Sequence, residues 1–356
     1  MKTIKKLLAL TLVLCMVFCL SVAVFAEEGE GGTTPTEPTT PEKKTYDDMS
    51  TVTITKTYNL TNAGTTSPKE TFSFSALTCE SVTDAGVGVT KESAPVPTIS
   101  SIEYTLGEAG SANAKKTATI TLPTYTAVGK YTYTFSEVDG KTAGVTYRAD
   151  AIKLVVTVIE QGGKIRVATV HTEDANASGK SSEFDNTYSA GSLSVKKTVT
   201  GILGDTKKEF DVKVTFTAPT GKTVKSDISY VVGEETKTIS AGEGWTDSKE
   251  VTIKLKHDQT ITFTNIPYGV TYKVEEDADS ATGYNVSYTN KVGEADATVG
   301  SEDTMENANH YVTITNDKGG EVDTGITLDS LPYILALAVA FGGAVVLFTR
   351  KRHVED

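Results

Sequence analysis

Val52-Thr53-Ile54-Thr55-Lys56-Thr57-Tyr58 is the stretch on which the fold turns. A β-strand sends alternate side chains to opposite faces. Val52, Ile54 and Tyr58 therefore share a face, and Lys56 shares it with them. Leu193-Ser194-Val195-Lys196-Lys197-Thr198-Val199 repeats the pattern, with Lys197 among Leu193, Val195 and Val199. In both copies a lysine takes a core position. A buried, unpaired ammonium is costly, so such a lysine loses its charge or finds a partner elsewhere in the chain.

Outward from these stretches the sequence stays strand-like. Ile152, Leu154, Val156 and Val158 alternate with Lys153 and Thr157. Phe210, Val212, Val214 and Phe216 alternate with Asp211, Lys213 and Thr215, and Val251, Ile253 and Leu255 with Thr252, Lys254 and Lys256. Short alternating runs separated by Gly, Asn and Asp predict an all-β chain of two tandem Ig-like β-sandwiches. The length, 356 residues, suits two domains. They are expected over 50–190 and 191–318, with Ser189-Ala190-Gly191-Ser192 as a hinge.

The ends carry other signals. Met1-Lys2-Thr3-Ile4-Lys5-Lys6, the apolar run to Phe25 and Val24-Phe25-Ala26 read as a secretory signal peptide, residues 1–26. Residues 27–49, rich in Glu, Gly, Thr and Pro, read as a disordered leader. Residues 331–348 are almost wholly apolar and precede Thr349-Arg350-Lys351-Arg352, as a single membrane span would. Beyond the signal peptide only Cys79 remains, so an exported protein of this sequence has no internal disulfide. Residues 27–324 carry a net charge of −15, since the signal peptide holds Lys2, Lys5 and Lys6 and the tail is neutral. That acidity argues against nucleic acid as a partner.

The two halves repeat more than the lysine. Tyr133-Thr134-Phe135-Ser136-Glu137 places Glu137 on the face of Tyr133 and Phe135; Tyr272-Lys273-Val274-Glu275-Glu276 places Glu276 with Tyr272 and Val274. Phe184-Asp185-Asn186-Thr187-Tyr188 sets Asn186 between two aromatics, and Val312-Thr313-Ile314-Thr315-Asn316 sets Asn316 in line with Val312 and Ile314. Each half thus has Lys, Glu and Asn in core register, in that order. Lys196, Glu275, Asp185 and Asp317 fall on the opposite faces. The three types can react: an amine made neutral by an apolar site is a nucleophile, a protonated carboxyl can polarise the carboxamide and shuttle protons, and the fold supplies proximity. The product is an amide between side chains, formed once.

This ordered set resembles the intramolecular isopeptide domains of Gram-positive pilins. The first half, which also has Gly144-Val145-Thr146-Tyr147, is similar to the streptococcal-type pilin isopeptide linkage domain; the second, with Val195-Lys196-Lys197-Thr198-Val199-Thr200-Gly201, resembles the B-type repeat of collagen adhesins. The resemblance implies that Lys56 and Lys197 are nucleophiles, Asn186 and Asn316 electrophiles, and Glu137 and Glu276 the catalytic carboxyls. Residues 319–356 resemble a sortase sorting signal, in which Glu321-Val322-Asp323-Thr324-Gly325 keeps Thr-Gly and lacks the usual Leu-Pro. Cleavage between Thr324 and Gly325 would leave the protein on the cell wall. Lys180, in the polar Ala177-Ser178-Gly179-Lys180-Ser181-Ser182, stands where such pilins carry the lysine that joins subunits, and its setting predicts an exposed loop.

The implied function is a cell-surface structural subunit, self-crosslinked and joined to its neighbours, with sortase, other pilin subunits and peptidoglycan as partners. The alternative is a monomeric wall-anchored adhesin for a host or matrix ligand. Turnover of an external substrate is disfavoured, because groups in core register face no solvent. His171, His257, His310 and His353 show no metal-ligand spacing, no phosphate loop appears, and no metal or cofactor is expected. Cys79 reads as a small buried residue.

Overall fold

The computed structural model describes residues 48–176, 179–320 and 336–337. The signal peptide, most of the leader, the sorting motif with Thr324 and Gly325, and nearly all of the apolar span lie outside them. Among the described residues the chain is built of β-strands packed as two sandwiches.

In the first sandwich, strand Thr51–Leu60 is the centre of a five-stranded sheet. It pairs antiparallel with Lys115–Thr121 and parallel with Glu183–Tyr188, so the first strand lies beside the last. A four-stranded sheet containing Gly129–Phe135 and Ile152–Gln161 covers it. Between them pack Ile54, Tyr58, Tyr104, Tyr131, Tyr133 and Leu154, among others. The second sandwich repeats the plan. Strand Ala190–Thr200 is the centre of a seven-stranded sheet, antiparallel to Thr260–Pro267 and parallel to the last strand, Asn309–Asp317. Phe210–Thr217 and Thr271–Glu276 lie in the covering sheet, and Phe210, Val212, Val214 and Phe216 all point inward. Cys79 is buried, as a small apolar residue would be.

Two details depart from the sequence reading. Asp48 and Met49, which the reading gave to the leader, are tied to the first sandwich: Met49 N–H donates to Val167 O and Asp48 Oδ1 accepts from Val167 N–H. The expected hinge is a joint. Ala190 and Gly191 are buried and already belong to the second sandwich's central strand. Ser189 N–H donates to Gly144 O, and Ser189 O accepts from Tyr268 N–H. Asn62 Nδ2 reaches Tyr268 Oη at 2.7 Å, Asn265 Oδ1 accepts from Thr66 N–H, and Tyr188 Oη meets Ser226 Oγ at 2.7 Å. The small residues that suggested freedom serve close approach instead: a Cβ on Gly191 would lie 2.3 Å from Asn307 O.

One buried polar group ties stability to pH. His310 is fully buried, with Nδ1 3.0 Å from Tyr272 Oη, which itself donates to Asn290 Oδ1. Nδ1 is then the donor, and Nε2 is buried without a hydrogen-bond partner. Burial lowers the His310 pKa, against the opposing pull of Asp303 and Glu306. A lowered folded pKa means that the unfolded chain takes up the proton first. The contribution is therefore complete above about pH 6.5 and declines as pH falls through that value. The second sandwich should melt lower at about pH 5.5 than at about pH 7.5, and His310→Phe should shrink that difference. An equal pH dependence in the variant would refute the assignment.

Candidate functional site: a buried Lys–Glu–Asn cluster in each sandwich

The parallel pairing of first and last strand sets the first cluster. Lys56 lies opposite Phe184, and Tyr58 opposite Asn186. Lys56 and Asn186 are thus diagonal neighbours on the inward face of one sheet. Glu137 arrives from the other sheet, just beyond strand Gly129–Phe135, where it bridges to Phe74. Lys56 Nζ lies 3.1 Å from Glu137 Oε2, and Asn186 Nδ2 donates to Glu137 Oε1 at 2.8 Å. One carboxyl therefore holds the amine on one oxygen and the amide on the other. Arg148 N–H also donates to Oε2, and Asn186 Nδ2 to Thr146 O.

The second cluster has the same diagonal: Lys197 lies opposite Ile314 and Val199 opposite Asn316. Lys197 Nζ is 3.0 Å from Glu276 Oε2, and Asn316 Nδ2 donates to Oε1 at 2.9 Å. Glu276 ends strand Thr271–Glu276 of the opposing sheet, and its N–H donates to Tyr288 Oη.

Both sites are dry. Lys56, Asn186, Lys197 and Asn316 are at most 1% exposed. Lys56 Nζ lies 4.8 Å from the centre of the Phe72 ring and Lys197 Nζ 4.5 Å from that of Phe210. Burial holds both amines below their ordinary pKa, opposed by the neighbouring glutamate in each case; the Arg148 charge adds to the lowering at Lys56. Desolvation thus favours the neutral, nucleophilic amine. The carboxamide oxygens Asn186 Oδ1 and Asn316 Oδ1 are buried without a hydrogen-bond partner. An unmet buried acceptor costs about 1–3 kcal/mol, so each amide is held in a raised-energy state.

The opposite-face residues lie outside: Lys196, Asp185 and Asp317 are exposed and Glu275 is half-buried. Lys180 is exposed and forms an isolated bridge to Glu173 beside the edge strand Lys164–Asp174. Sequence reasoning missed the rings against the amines and the backbone groups that orient Glu137 and Asn186. Thr71-Phe72-Ser73-Phe74 carried a signal for the rings in its alternation; no pattern signals a backbone N–H.

Residues 191–318 match a family model described as a domain of unknown function. A pilin of Streptococcus pyogenes serotype M1 is 28% identical over 318 residues, covering 84% of this chain and 90% of that protein. Two major pilins of Streptococcus pyogenes, T-13 and T3.2, share the fold at TM-scores of 0.53 and 0.54, with 23% and 22% identity. Each alignment covers 76% of this chain, and 98% and 99% of theirs. Residues 43–189 match the model of the Spy0128-like isopeptide containing domain. That segment, inside which Lys56, Glu137 and Asn186 are in contact, is thus similar to Spy0128-like isopeptide-containing pilin domains.

Proposed function

We propose that this protein is a structural subunit of a Gram-positive pilus. In this reading each sandwich seals itself with an isopeptide bond, Lys56–Asn186 in the first and Lys197–Asn316 in the second. A sortase joins the subunit through Thr324 to a lysine of the next subunit and finally to peptidoglycan. The observation that carries the reading is the duplication of one buried geometry, amine and amide on the two oxygens of one carboxyl, in two sandwiches whose sequences differ.

That geometry suits a proton shuttle. The neutral lysine Nζ attacks the asparagine Cγ and passes a proton to Oε2 of the glutamic acid. As Cγ becomes tetrahedral, Nδ2 regains its lone pair and accepts the proton from Oε1. The Cγ–Nδ2 bond breaks, ammonia leaves, and the carboxyl is again protonated. One amine and one carboxamide become one secondary amide and one ammonia, with no oxidant, metal or cofactor required. Burial fixes the partners in contact and excludes water, so the chemistry stays intramolecular.

Subunit joining is a separate test. Lys180 is the lysine assigned to attack the Thr324 acyl group, since it is exposed beside an edge strand. In a host with the matching sortase, wild type should give SDS-resistant ladders on cell walls and Lys180→Ala only monomer. Ladders that persist in the variant would assign the joint to another lysine. A single wall-released band from wild type would replace the pilus reading by a monomeric adhesin.

A further inference from the structure

The two clusters hold the same three side chains, but their surroundings differ on one side. At the first, a single short segment grips the carboxyl and the amide with its backbone. Val145–Thr146 is an edge strand paired with Glu183–Tyr188; Thr146 lies opposite Thr187, and their hydroxyls touch. Thr146 O accepts from Asn186 Nδ2 at 2.7 Å. Two residues on, Arg148 N–H donates to Glu137 Oε2 at 3.0 Å. At the second cluster, among the described residues, the Glu276 carboxyl oxygens take only Lys197 and Asn316. The fixed contact there, Glu276 N–H to Tyr288 Oη, holds the backbone of the glutamate and not its carboxyl.

Such a clamp has a chemical consequence. A backbone N–H can only donate, so the oxygen it holds stays an acceptor. Glu137 Oε2 is thereby kept as the oxygen that takes the proton from Lys56, and the acid proton is left to Oε1, on the amide's side. Thr146 O takes one hydrogen of Nδ2 and so keeps the leaving nitrogen turned towards that carboxyl.

The Arg148 side chain holds the clamp in place. Its Nη2 meets Asp174 Oδ2 at 2.5 Å, and its Nε donates to Asp150 O at 3.1 Å. Its Cζ lies 4.9 Å from the centre of the Phe184 ring, and Phe184 is the residue opposite Lys56. Loop stability alone would account for the ion pair, but not for the N–H on the reacting carboxyl. The charge acts as well. Burial chiefly holds the Lys56 amine below its ordinary pKa; Glu137 and, from the outer face, Asp185 oppose this, and the Arg148 charge adds to the lowering. Other charges on the neighbouring strands are engaged elsewhere: Lys116, opposite Lys56, with Glu108, and Glu70 with Lys225. At Lys197 burial and Glu276 act alone.

We infer that Arg148 is a positioning residue for the first crosslink, with no counterpart at the second, so that one chain carries the same reaction under two different controls. The bond Lys56 Nζ–Asn186 Cγ forms, the bond Cγ–Nδ2 breaks, and ammonia leaves with the proton that Glu137 relays; Arg148 enters no bond. The inference rests on the crosslink reading.

The test follows both bonds in one chain. The full chain, accumulated in inclusion bodies, is dissolved in acid urea, refolded by dilution at a series of pH values and sampled by mass spectrometry. Peptides joining Lys56 to Asn186 report the first bond. Those joining Lys197 to Asn316 report the second, which is the internal control. Arg148→Met should slow the first bond at least about tenfold at about pH 7, the rate equivalent of one hydrogen bond to an ionisable group, and leave the second unchanged. The deficit should shrink towards about pH 9, where solvent removes the ammonium proton without help from the Arg148 charge. Asp174→Asn releases the pin and keeps the charge, so its deficit should be smaller and the same at every pH; it carries the test if the methionine variant does not fold. Arg148→Lys should restore most of the rate. A wild-type rate for the first bond in either Arg148→Met or Asp174→Asn would overturn the proposal, as would a methionine deficit equal at every pH. Wild type that forms neither bond would remove the crosslink reading, and the inference with it.

Discussion

The folded protein should weigh about 34 Da less than the sum of its residues, because each of two isopeptide bonds releases one ammonia of about 17 Da. The expectation follows from the two clusters, each of which places amine, carboxyl and amide in sequence within hydrogen-bond reach. Glu137→Ala should restore about 17 Da beyond the mass of the substitution itself, and Glu276→Ala the same, since the proton shuttle is lost while amine and amide remain. The double variant should recover the full mass. Fragment mass spectra should link the peptide of Lys56 to that of Asn186, and of Lys197 to that of Asn316. An intact wild-type protein with unmodified mass would eliminate the crosslink reading. A loss of about 17 Da would confine it to one sandwich, and the glutamate variants would say which.

Lys197→Ala should lower the melting temperature of the second sandwich by on the order of 20 °C. A bond from residue 197 to residue 316 closes a loop of 119 residues in the denatured chain. Chain entropy makes such a closure worth about 5 kcal/mol, on a model whose mechanism is disputed. For a domain of this size each kcal/mol moves the melt by roughly 4 °C. The substitution also leaves Glu276, with a side chain wholly out of solvent, without its cation, which adds to the loss. Asn316→Ala removes the crosslink but keeps the Lys197–Glu276 contact, so the gap between the two variants separates covalent from ionic stabilisation. Such a crosslink would also join the second sandwich's first and last strands, so a pulling force between them would bypass strands 210–304. Calorimetry and protease digestion read the thermal effect directly. An unchanged melt in Lys197→Ala would count against a covalent bond there.

Much of this was legible in the sequence. Strand alternation is a local, period-two property, so Phe210, Val212, Val214 and Phe216 could be assigned inward, and Lys56, Glu137 and Asn186 could be placed on core faces, without knowing what they faced. The recurrence of Lys, Glu and Asn in both halves then singled out the candidate reactive groups. Pairing was decided only by tertiary closure. That Asn186 lies diagonal to Lys56 depends on a parallel register between strands separated by more than a hundred residues. That Glu137 presents one oxygen to each partner depends on the opposing sheet, and on Arg148 N–H and Thr146 O, which no side-chain pattern encodes. Ser189-Ala190-Gly191-Ser192 shows the limit most plainly. Small residues fit a free linker and a crowded contact equally well, because both need a side chain that is absent. Only the hydrogen bonds of Ser189, its N–H to Gly144 O of the first sandwich and its O from Tyr268 N–H of the second, make this one a joint, while Asn307 O crowds Gly191 from within the second sandwich.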